Sequence, residues 1–401
     1  MKTYDILIVG GGIVGLAAAY QLLQRRPGLR LAVLEKEKEV AAHQSSRNSG
    51  VIHSGIYYRP GSLRALNCRR GYTLLLQFCA KEGLPFEVCG KIIVAATAAE
   101  RGQLDAIHQR GLANGLQGLR LLAPEEARAI EPHVRAEAAL WVPQAGITDY
   151  GLIARRYAER VLAAGGEVLT GVKVDQIRPG STEVVLSGAG WEGSARQVVT
   201  CCGLYSDRIT RLTGERPGVQ ILPFRGEYYE LKPERAHLVR NLIYPVPNPN
   251  FPFLGVHFTR MIHGGIEAGP NAVLAFRREG YSRWDIQPAE LFETLRFRGF
   301  QRLAARYWRD GWAEMRRSFF KSQFVRALQH LVPEITAGDL VPARSGVRAM
   351  ACTPEGQLHD DFLILEKGRI LNVCNAPSPA ATASLAIGEA VAERILQNRR
   401  E

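Results

Sequence analysis

The segment from Tyr4 to Arg26, "YDILIVGGGIVGLAAAYQLLQRR", constrains the fold more than any other part of the chain. Its first apolar run is short and continuous, which is typical of a buried parallel strand, and its second half is typical of a helix. The following stretch, "LRLAVLEKE", predicts a second strand that ends at Glu35. The sequence therefore predicts a strand–helix–strand unit with a glycine-rich turn after the first strand.

Three glycines in that turn have the spacing of a dinucleotide-binding motif. Gly10 permits the tight turn, Gly12 lets the backbone approach a pyrophosphate, and Gly15 allows the helix to pack closely on the strand. The helix N-terminus then offers N–H groups and the positive end of a dipole to the phosphates. Glu35 follows Gly15 by 20 residues, where a carboxylate hydrogen-bonds a ribose. Together these features predict a dinucleotide site.

Later segments return to the same architecture. "YGLIARRYAERVLAAGGEVLTGVKVDQI" predicts a helix and a strand with Val172 and Val174 at its end, while "RQVVTCCGLYSDRITRLTG" and "GRILNVCNAPSPAATASLAIGEAVAERIL" each predict a strand, a turn and a helix. Between them, "FRGEYYELK", "LIYPVP" and a hairpin in "HFTRMIHGGIEAG" favour an antiparallel sheet. We predict an α/β fold with two domains: a discontinuous Rossmann-like domain (1–79, 146–214 and 341–401) and an antiparallel-sheet α+β substrate domain (80–145 and 215–340).

The composition limits the compartment. The chain lacks a run of about 18 apolar residues, so we expect no helix that spans a membrane. The first apolar run is too short for a signal peptide. Seven scattered cysteines without a CxxC pair favour a reducing compartment. We therefore expect a cytoplasmic protein.

The net charge of +12 is distributed unevenly. Residues 296–326 contain nine basic, two acidic and eight aromatic residues. Such a stretch favours contact with an anionic surface, either a membrane or a nucleic acid, and an ordinary solvated helix face is the alternative.

The polar loop "SSRNSGVIHSGIYY" after the second predicted strand, together with "TCCGLYSD", "SGVRAM" and "NAPSPAAT", resembles the D-amino-acid oxidase type of FAD-dependent oxidoreductases. This resemblance covers essentially the whole chain. Within that group, "SSRNSGVIHSGIYY", "GVHFTRM", "AGPNAVLA", "REGY" and "NAPSPAATASLAIGE" are similar to the L-2-hydroxyglutarate oxidase/dehydrogenase branch.

The resemblance implies that FAD is the cofactor. Its implied binding residues are Gly10, Gly12, Ile13, Val14, Gly15, Glu35, Lys36, Ser45, Ser46, Arg47, Asn48, Ser49, Val51, Val174, Cys202, Gly203, Gly346, Asn375, Ala376, Pro377, Ser378, Pro379, Ala380, Ala381 and Thr382. A helix that begins near Ala380 would point its N-terminus at the flavin and stabilise negative charge there. Covalent attachment of the flavin through Cys352, Cys374 or His53 is a further alternative, although no cysteine stands in the pattern expected for it.

The implied reaction is the oxidation of L-2-hydroxyglutarate, a small dicarboxylate, to 2-oxoglutarate. The reaction needs a base, for which His53 and His257 are the candidates, and a cation for a carboxylate, for which Arg348 is preferred over Arg225 and Arg260. Tyr57 and Thr259 are expected to donate to the second carboxylate. "HDDF" at 359–362 is read as a turn, so we expect no metal site.

Three alternatives remain open at this point: another hydroxy acid as substrate, an amino acid or amine on the same fold, and a flavoprotein that modifies nucleic acid. Since only one nucleotide motif is present, we expect the electrons to pass to oxygen or a membrane quinone rather than to NAD(P).

The segment 296–326 supplies the expected membrane contact on the inner face of the cytoplasmic membrane. A core-facing helix is predicted from the spacing of Phe320, Phe324, Leu328 and Leu331. In the earlier part, Phe300, Leu303 and Tyr307 form one apolar edge, and Trp308 and Trp312 form another. Three arginines surround these edges: Arg302, Arg306 and Arg309. Tryptophan beside arginine suits an anionic lipid surface.

Overall fold

The structure, a computed structural model, describes residues 1–188, 190–248 and 253–397. The strands are β1 Lys2–Val9, β2 Leu31–Leu34, β3 Val51–Ile52, β4 Phe86–Glu87, β5 Lys91–Ala95, β6 Arg120–Leu122, β7 Ala138–Val142, β8 Gly146–Thr148, β9 Glu167–Leu169, β10 Gln176–Pro179, β11 Val184–Gly188, β12 Trp191–Thr200, β13 Gln220–Leu231, β14 Leu242–Pro245, β15 His257–Arg260, β16 Ile266–Gly269, β17 Val273–Leu274, β18 Leu340–Cys352, β19 Leu363–Lys367 and β20 Ile370–Asn375. The helices are α1 Ile13–Arg25, α2 Leu63–Glu82, α3 Ala98–Ala113, α4 Pro124–Ile130, α5 Tyr150–Ala163, α6 Ser206–Leu212, α7 Pro288–Arg296, α8 Arg298–Arg306, α9 Trp308–Phe319, α10 Lys321–Gln329 and α11 Ser384–Gln397.

The first sheet is built around β1. Its neighbours β2 and β12 both run parallel to it, and β9 and β20 extend the parallel part on either side. Because β1 is covered on both faces, its residues from Ile6 to Val9 are all buried. Helices α1, α5 and α11 pack on one face, where Gly388 lies so close to Ala17 that a side chain at 388 would collide with the α1 backbone. The predicted Rossmann-like unit is confirmed.

The second sheet has the order β17–β13–β16–β15–β14–β5–β7–β6, with β18 also paired to β13. Its pairs are antiparallel except that β14 runs parallel to β5. The predicted hairpin is β15–β16, whose turn carries Gly264 and Gly265 at positive φ. A small third sheet, β3–β8–β4, lies where the chain passes from one sheet to the other.

Two predicted boundaries differ from the structure. Residues 341–352 were assigned to the nucleotide domain, but they belong to β18 and pair along β13 in the second sheet. The C-terminal helix begins at Ser384 rather than near Ala380, because residues 378–383 form turns that continue into α11 through the Ile387 N–H bond to the Ala383 carbonyl.

The basic aromatic segment folds into the short helices α7 to α10. The predicted core-facing stripe is correct for Phe324, Leu328 and Leu331, which are buried, but wrong for Phe320, whose side chain is 57% exposed. Phe320 has an extended backbone between α9 and α10, so the helical periodicity does not continue through it. No helix in the described ranges is long and apolar enough to cross a membrane.

Candidate active site

A cavity of about 1570 Å³ opens at the carboxyl ends of β1 and β12 and continues beneath the second sheet. This volume exceeds the roughly 300–1,000 Å³ of an ordinary small-molecule pocket, so the cavity has room for a dinucleotide and a small substrate. Its position matches the rule that open parallel sheets bind ligands beyond the carboxyl ends of their strands.

The glycine turn forms one end of the cavity. Gly10 has φ +113°, and a Cβ atom there would lie 2.3 Å from the Cys201 carbonyl oxygen. Gly12 differs, because the nearest atom to a Cβ there is Ser45 Oγ at 3.4 Å and the remaining space is open. The α1 helix lacks a capping side chain at Gly12, and Ile13 N–H donates to Ser45 Oγ over 2.9 Å. This cradle of N–H and hydroxyl groups at a helix N-terminus fits the diphosphate of FAD.

Most predicted cofactor residues line the cavity. The members of that set on the wall are Gly10, Gly12, Ile13, Val14, Glu35, Lys36, Ser45, Arg47, Asn48, Ser49, Val51, Val174, Cys202, Gly203, Gly346, Asn375, Ala376, Pro377, Ser378, Pro379, Ala380 and Ala381. The other three, Gly15, Ser46 and Thr382, do not line it. Thr382 is fully buried and its Oγ1 accepts the His53 N–H at 3.2 Å, so it supports the wall that carries His53.

Charged groups cluster at the Glu35 end of the cavity. Glu35 accepts the Gly11 N–H at 2.8 Å and the Glu37 N–H at 2.9 Å, which fixes its carboxylate at the wall. Beside it, Lys36 Nζ lies 2.7 Å from Glu279, and His43 Nε2 lies 3.0 Å from the same carboxylate. Glu37, His43 and Glu279 are close enough to bind a metal ion, but the Lys36 ammonium already bonds to both carboxylates.

His53 and His257 meet at the other end of the cavity, under the second sheet. Burial is the main reason why the pKa of each imidazole falls to about 3. Positive neighbours add to the effect: Lys91 and Arg64 act on His53, and Arg348 and Lys91 act on His257. Both rings are therefore neutral at pH 7.

Of these two rings, His257 is the one whose tautomer is fixed by a hydrogen bond to a described residue. Its Nδ1 donates to the Gly255 carbonyl at 2.9 Å, which leaves an open lone pair on Nε2. Its ring stacks on Tyr244 with centroids 3.9 Å apart. Thr259 does not reach the cavity, since its hydroxyl bonds to Tyr244 from behind. Tyr57 lines the cavity, and its buried Oη has no partner among the described residues.

Lys91 is a functional candidate that the sequence analysis missed. This lysine at the start of β5 is 1% exposed, and its Nζ lies 4.6 Å from the Tyr57 ring centroid and 4.7 Å from that of Tyr244. Burial lowers its pKa to about 7. The only sequence signal was a lysine that opens the apolar run "KIIVAA".

Arg348 projects from β18 into the cavity, where Nη1 lies 3.4 Å from the Asn271 carbonyl. No carboxylate of the described chain lies within 4 Å of its guanidinium. The two weaker candidates are structural instead: Arg225 pairs with Glu227 at 3.0 Å, and Arg260 pairs with Glu87 at 2.5 Å. Arg348 is therefore left with its charge available to a ligand.

The "HDDF" segment at 359–362 is irregular, with a bend at Asp361 rather than the predicted turn. His359 Nδ1 bonds to the Asp361 carbonyl at 3.0 Å, and the Asp361 carboxylate accepts the N–H groups of Leu63 and Arg64. Cys352 is fully buried away from the cavity, whereas Cys374 reaches the wall with its thiol 3.2 Å from the Thr210 hydroxyl.

A cavity with a glycine turn at a helix N-terminus at one end and two neutral imidazoles at the other suits an oxidoreductase that uses a dinucleotide cofactor. The family model described as FAD dependent oxidoreductase (DAO) matches residues 5–394, so the chain belongs to this family and uses FAD.

The similar proteins point to one member of the class. The chain is 50% identical to L-2-hydroxyglutarate dehydrogenase of Indibacter alkaliphilus, over 98% of this chain and 99% of that protein. It is 45% identical to the human mitochondrial L-2-hydroxyglutarate dehydrogenase, over 99% of this chain and 89% of that protein, and 42% identical to the Escherichia coli O17:K52:H18 enzyme, over 98% and 93%.

Solved structures agree on the fold. L-alpha-glycerophosphate oxidase from Mycoplasma pneumoniae, solved with FAD bound, aligns with a TM-score of 0.81 at 24% identity, over 99% of this chain and 95% of that chain. Glycine oxidase from Geobacillus kaustophilus aligns with a TM-score of 0.75 at 19% identity, over the same shares. At these identities the likeness concerns the fold alone.

Proposed function

We propose that this chain oxidises L-2-hydroxyglutarate to 2-oxoglutarate. The observation that carries the proposal is the meeting of two neutral imidazoles with the unpaired Arg348 guanidinium at one end of a dinucleotide cavity. Identities of 42–50% over nearly the full chain to L-2-hydroxyglutarate dehydrogenases support the substrate.

His257 is the proposed proton acceptor for the substrate hydroxyl. Its Nδ1–H is committed to the Gly255 carbonyl, so Nε2 is the atom that accepts the proton. An imidazole with a pKa of about 3 is a weak base, but a bound dianion favours the protonated ring and raises that pKa. His53, which lacks a fixed tautomer, is placed to donate to a substrate oxygen.

The Arg348 guanidinium is proposed to hold the carboxylate next to the reacting carbon. A guanidinium offers two parallel N–H donors and fixes a carboxylate in one orientation. When bound, FAD accepts the two electrons and the hydrogen removed from that carbon. The residues proposed to hold FAD are those of the glycine turn, the Ser45–Ser49 loop and the Asn375–Ala381 loop, which line its part of the cavity.

Anaerobic reduction of the purified yellow protein tests the substrate. We expect L-2-hydroxyglutarate to bleach the flavin, with 2-oxoglutarate as product, and the D enantiomer to leave it oxidised. The comparison set consists of other 2-hydroxy acids, glycerol 3-phosphate, sarcosine and common amino acids. Faster bleaching by any member of that set would replace the proposal with another reaction on the same fold.

A peripheral membrane contact is the second part of the proposal. On α9, Trp308, Trp312, Met315 and Phe319 recur at helical spacing and form one stripe, called here the α9 stripe. Trp308, Trp312 and Phe319 are 62%, 64% and 51% exposed, so this apolar stripe faces outward. The opposite face carries the buried Glu314 and Ser318. A helix that presents tryptophans outward among arginines is typical of binding to anionic lipid.

The α9 stripe adjoins the cavity through α8. Leu303, Arg306 and Tyr307 line the cavity, and Trp308 follows directly in sequence. Docking of this surface on a bilayer would therefore place the cavity wall beside the lipid, where a membrane quinone would take the electrons.

Sedimentation with anionic vesicles tests the contact. We expect the wild-type holoprotein to pellet at low salt and to be released at high salt, because lysine and arginine contacts are screened. The Trp308→Ala/Trp312→Ala variant should stay in the supernatant, whereas Leu162→Ala, which removes an exposed apolar side chain on α5, should behave as wild type. Binding of nucleic acid with no vesicle binding would favour the nucleic-acid alternative.

A further inference from the structure

Arg64 is one of the arginines on the cavity wall that the reaction as described does not use. It lies in the first turn of α2, where Asp361 accepts its backbone N–H at 2.7 Å. Its Nε donates to the Ser378 carbonyl at 2.5 Å and its Nη1 to the Asp360 carbonyl at 3.2 Å. The guanidinium also lies over the Tyr58 ring, 4.4 Å from the centroid. Two segments distant in sequence and the nearby Tyr58 ring therefore hold this side chain in one place.

The guanidinium of Arg64 forms no ion pair with a carboxylate of the described residues. Its acceptors are carbonyls, and the nearby Asp361 carboxylate bonds to the Arg64 backbone N–H instead. Arg278 pairs with Asp207 and Arg208 with Glu290, whereas Arg47, which also lines the cavity without an acidic partner among the described residues, is among the residues proposed to hold FAD. An arginine that is positioned this firmly without an acidic partner is suited to an anionic ligand.

Each cavity arginine lies near one ring of the histidine pair. Arg64 lies on α2 one turn before Cys68, whose thiol donates to the His53 carbonyl at 3.3 Å, and its charge lowers the pKa of His53. Arg348 on β18 lowers the pKa of His257 in the same way. A dicarboxylate whose hydroxyl contacts the imidazoles can therefore direct one carboxylate toward each arginine.

We propose that Arg64 binds the distal carboxylate of the substrate and so selects dicarboxylates over monocarboxylic 2-hydroxy acids. This inference rests on the proposed function. Two other cations of the same region are less suitable. Lys91 is buried behind the Tyr57 and Tyr244 rings, and Arg306 is exposed on α8.

Ligand binding to the oxidised holoprotein tests the assignment independently of turnover. Glutarate and pentanoate have the same chain length and differ only in the distal carboxylate. Their dissociation constants are measured from the change in the flavin absorbance spectrum. Loss of a charged hydrogen bond should weaken glutarate binding by about 10- to 100-fold in Arg64→Met, while pentanoate binding changes by less than about threefold. Arg64→Lys keeps the charge but loses the two parallel N–H donors, so its dissociation constant for glutarate should lie between those of wild type and Arg64→Met.

Arg348→Met is the matched control, since it removes the other guanidinium. We expect it to weaken glutarate and pentanoate to a similar degree. Equal loss of both ligands in Arg64→Met, or selective loss of glutarate only in Arg348→Met, would overturn the assignment. A reduced flavin content or melting temperature of Arg64→Met would show a folding defect. In that case, the ratio of glutarate to pentanoate affinity is taken from Arg64→Lys instead.

The two proposals fail in different ways. If the wild-type protein binds glutarate more tightly than pentanoate in an Arg64-dependent manner but is not reduced by L-2-hydroxyglutarate, the distal site stands and the proposed reaction falls. If L-2-hydroxyglutarate reduces the flavin equally well in Arg64→Met and wild type, the reaction stands and the distal site falls.

Discussion

Replacing the buried Lys91 by methionine should stabilise the protein at acidic and neutral pH. The folded state lowers the pKa of this ammonium from 10.5 to about 7, chiefly through burial. A shift of that size corresponds to about 5 kcal/mol of cost for keeping the charge in the folded state. Cation–π contacts of the ammonium with the Tyr57 and Tyr244 rings offset part of that cost, by roughly 0.5–2 kcal/mol each. The net gain in the free energy of unfolding for Lys91→Met is therefore about 1–4 kcal/mol.

The pH dependence of this gain has a definite sign. Below pH 7 both the folded and the unfolded chain carry the Lys91 charge, so the cost is fully present. Between pH 7 and 10.5 the unfolded chain binds more protons than the folded one, so the wild type becomes more stable relative to the variant as pH rises. The difference between the two proteins should be greatest near pH 6 and smaller at pH 9.

Thermal unfolding of the holoproteins at pH 6 and pH 9 measures the effect. We expect Lys91→Met to melt about 1–5 °C above wild type at pH 6. Lys91→Arg is the control, because a guanidinium stays charged over this range and cannot relieve the cost by losing its proton. A Lys91→Met protein that melts below wild type at pH 6, or a difference that is the same at both pH values, would refute the reasoning.

Three further predictions concern the site. Gly12→Val should fold but lose the yellow colour, because the space beyond its Cβ is open cavity; a variant with full FAD content would disprove this. His257→Ala should slow flavin reduction by about 100-fold or more in rapid mixing, and a normal rate would exclude it as the base, with His53→Ala measured alongside. A base must be unprotonated to act, and the pKa of each imidazole in the free enzyme is about 3. A pH profile of kcat/KM should therefore show no loss of activity from histidine protonation between pH 8 and pH 5. A decrease in kcat/KM as pH is lowered, with a midpoint near pH 6.5, would contradict this prediction.

The parts of the fold that the sequence predicted are those set by local rules. The glycine spacing determines which positions lack room for a side chain, and the structure places Gly10 and Gly15 against backbone oxygen atoms. The alternation in "HFTR" predicted a strand with His257 and Thr259 on one face, and β15 has that geometry. Alternation shows which face of a strand carries a side chain, but not whether that side chain reaches the cavity. Thr259 was therefore expected in the cavity, but its hydroxyl bonds to Tyr244 instead.

The parts that the sequence could not predict depend on distant contacts. Arg64 and Lys91 look like an ordinary helix residue and an ordinary strand edge until α2 and β5 are placed beside the cavity. Phe320 was placed in the core because its spacing to Phe324 assumed one continuous helix. Residues 341–352 were assigned to the nucleotide domain because their pairing with β13 in the second sheet leaves no local signature.

The cofactor cradle also bears on the order in which the molecule can be assembled during translation. The turn at Gly10 and Gly12 leaves the ribosome early, but the Asn375–Ala381 wall and the β20 strand beside β12 are made only after the whole second sheet. A nascent chain therefore has half a flavin site for most of its synthesis. We expect FAD to bind after the C-terminal segment docks, and its capture then links both ends of the sequence and draws the folding equilibrium toward the native state by mass action.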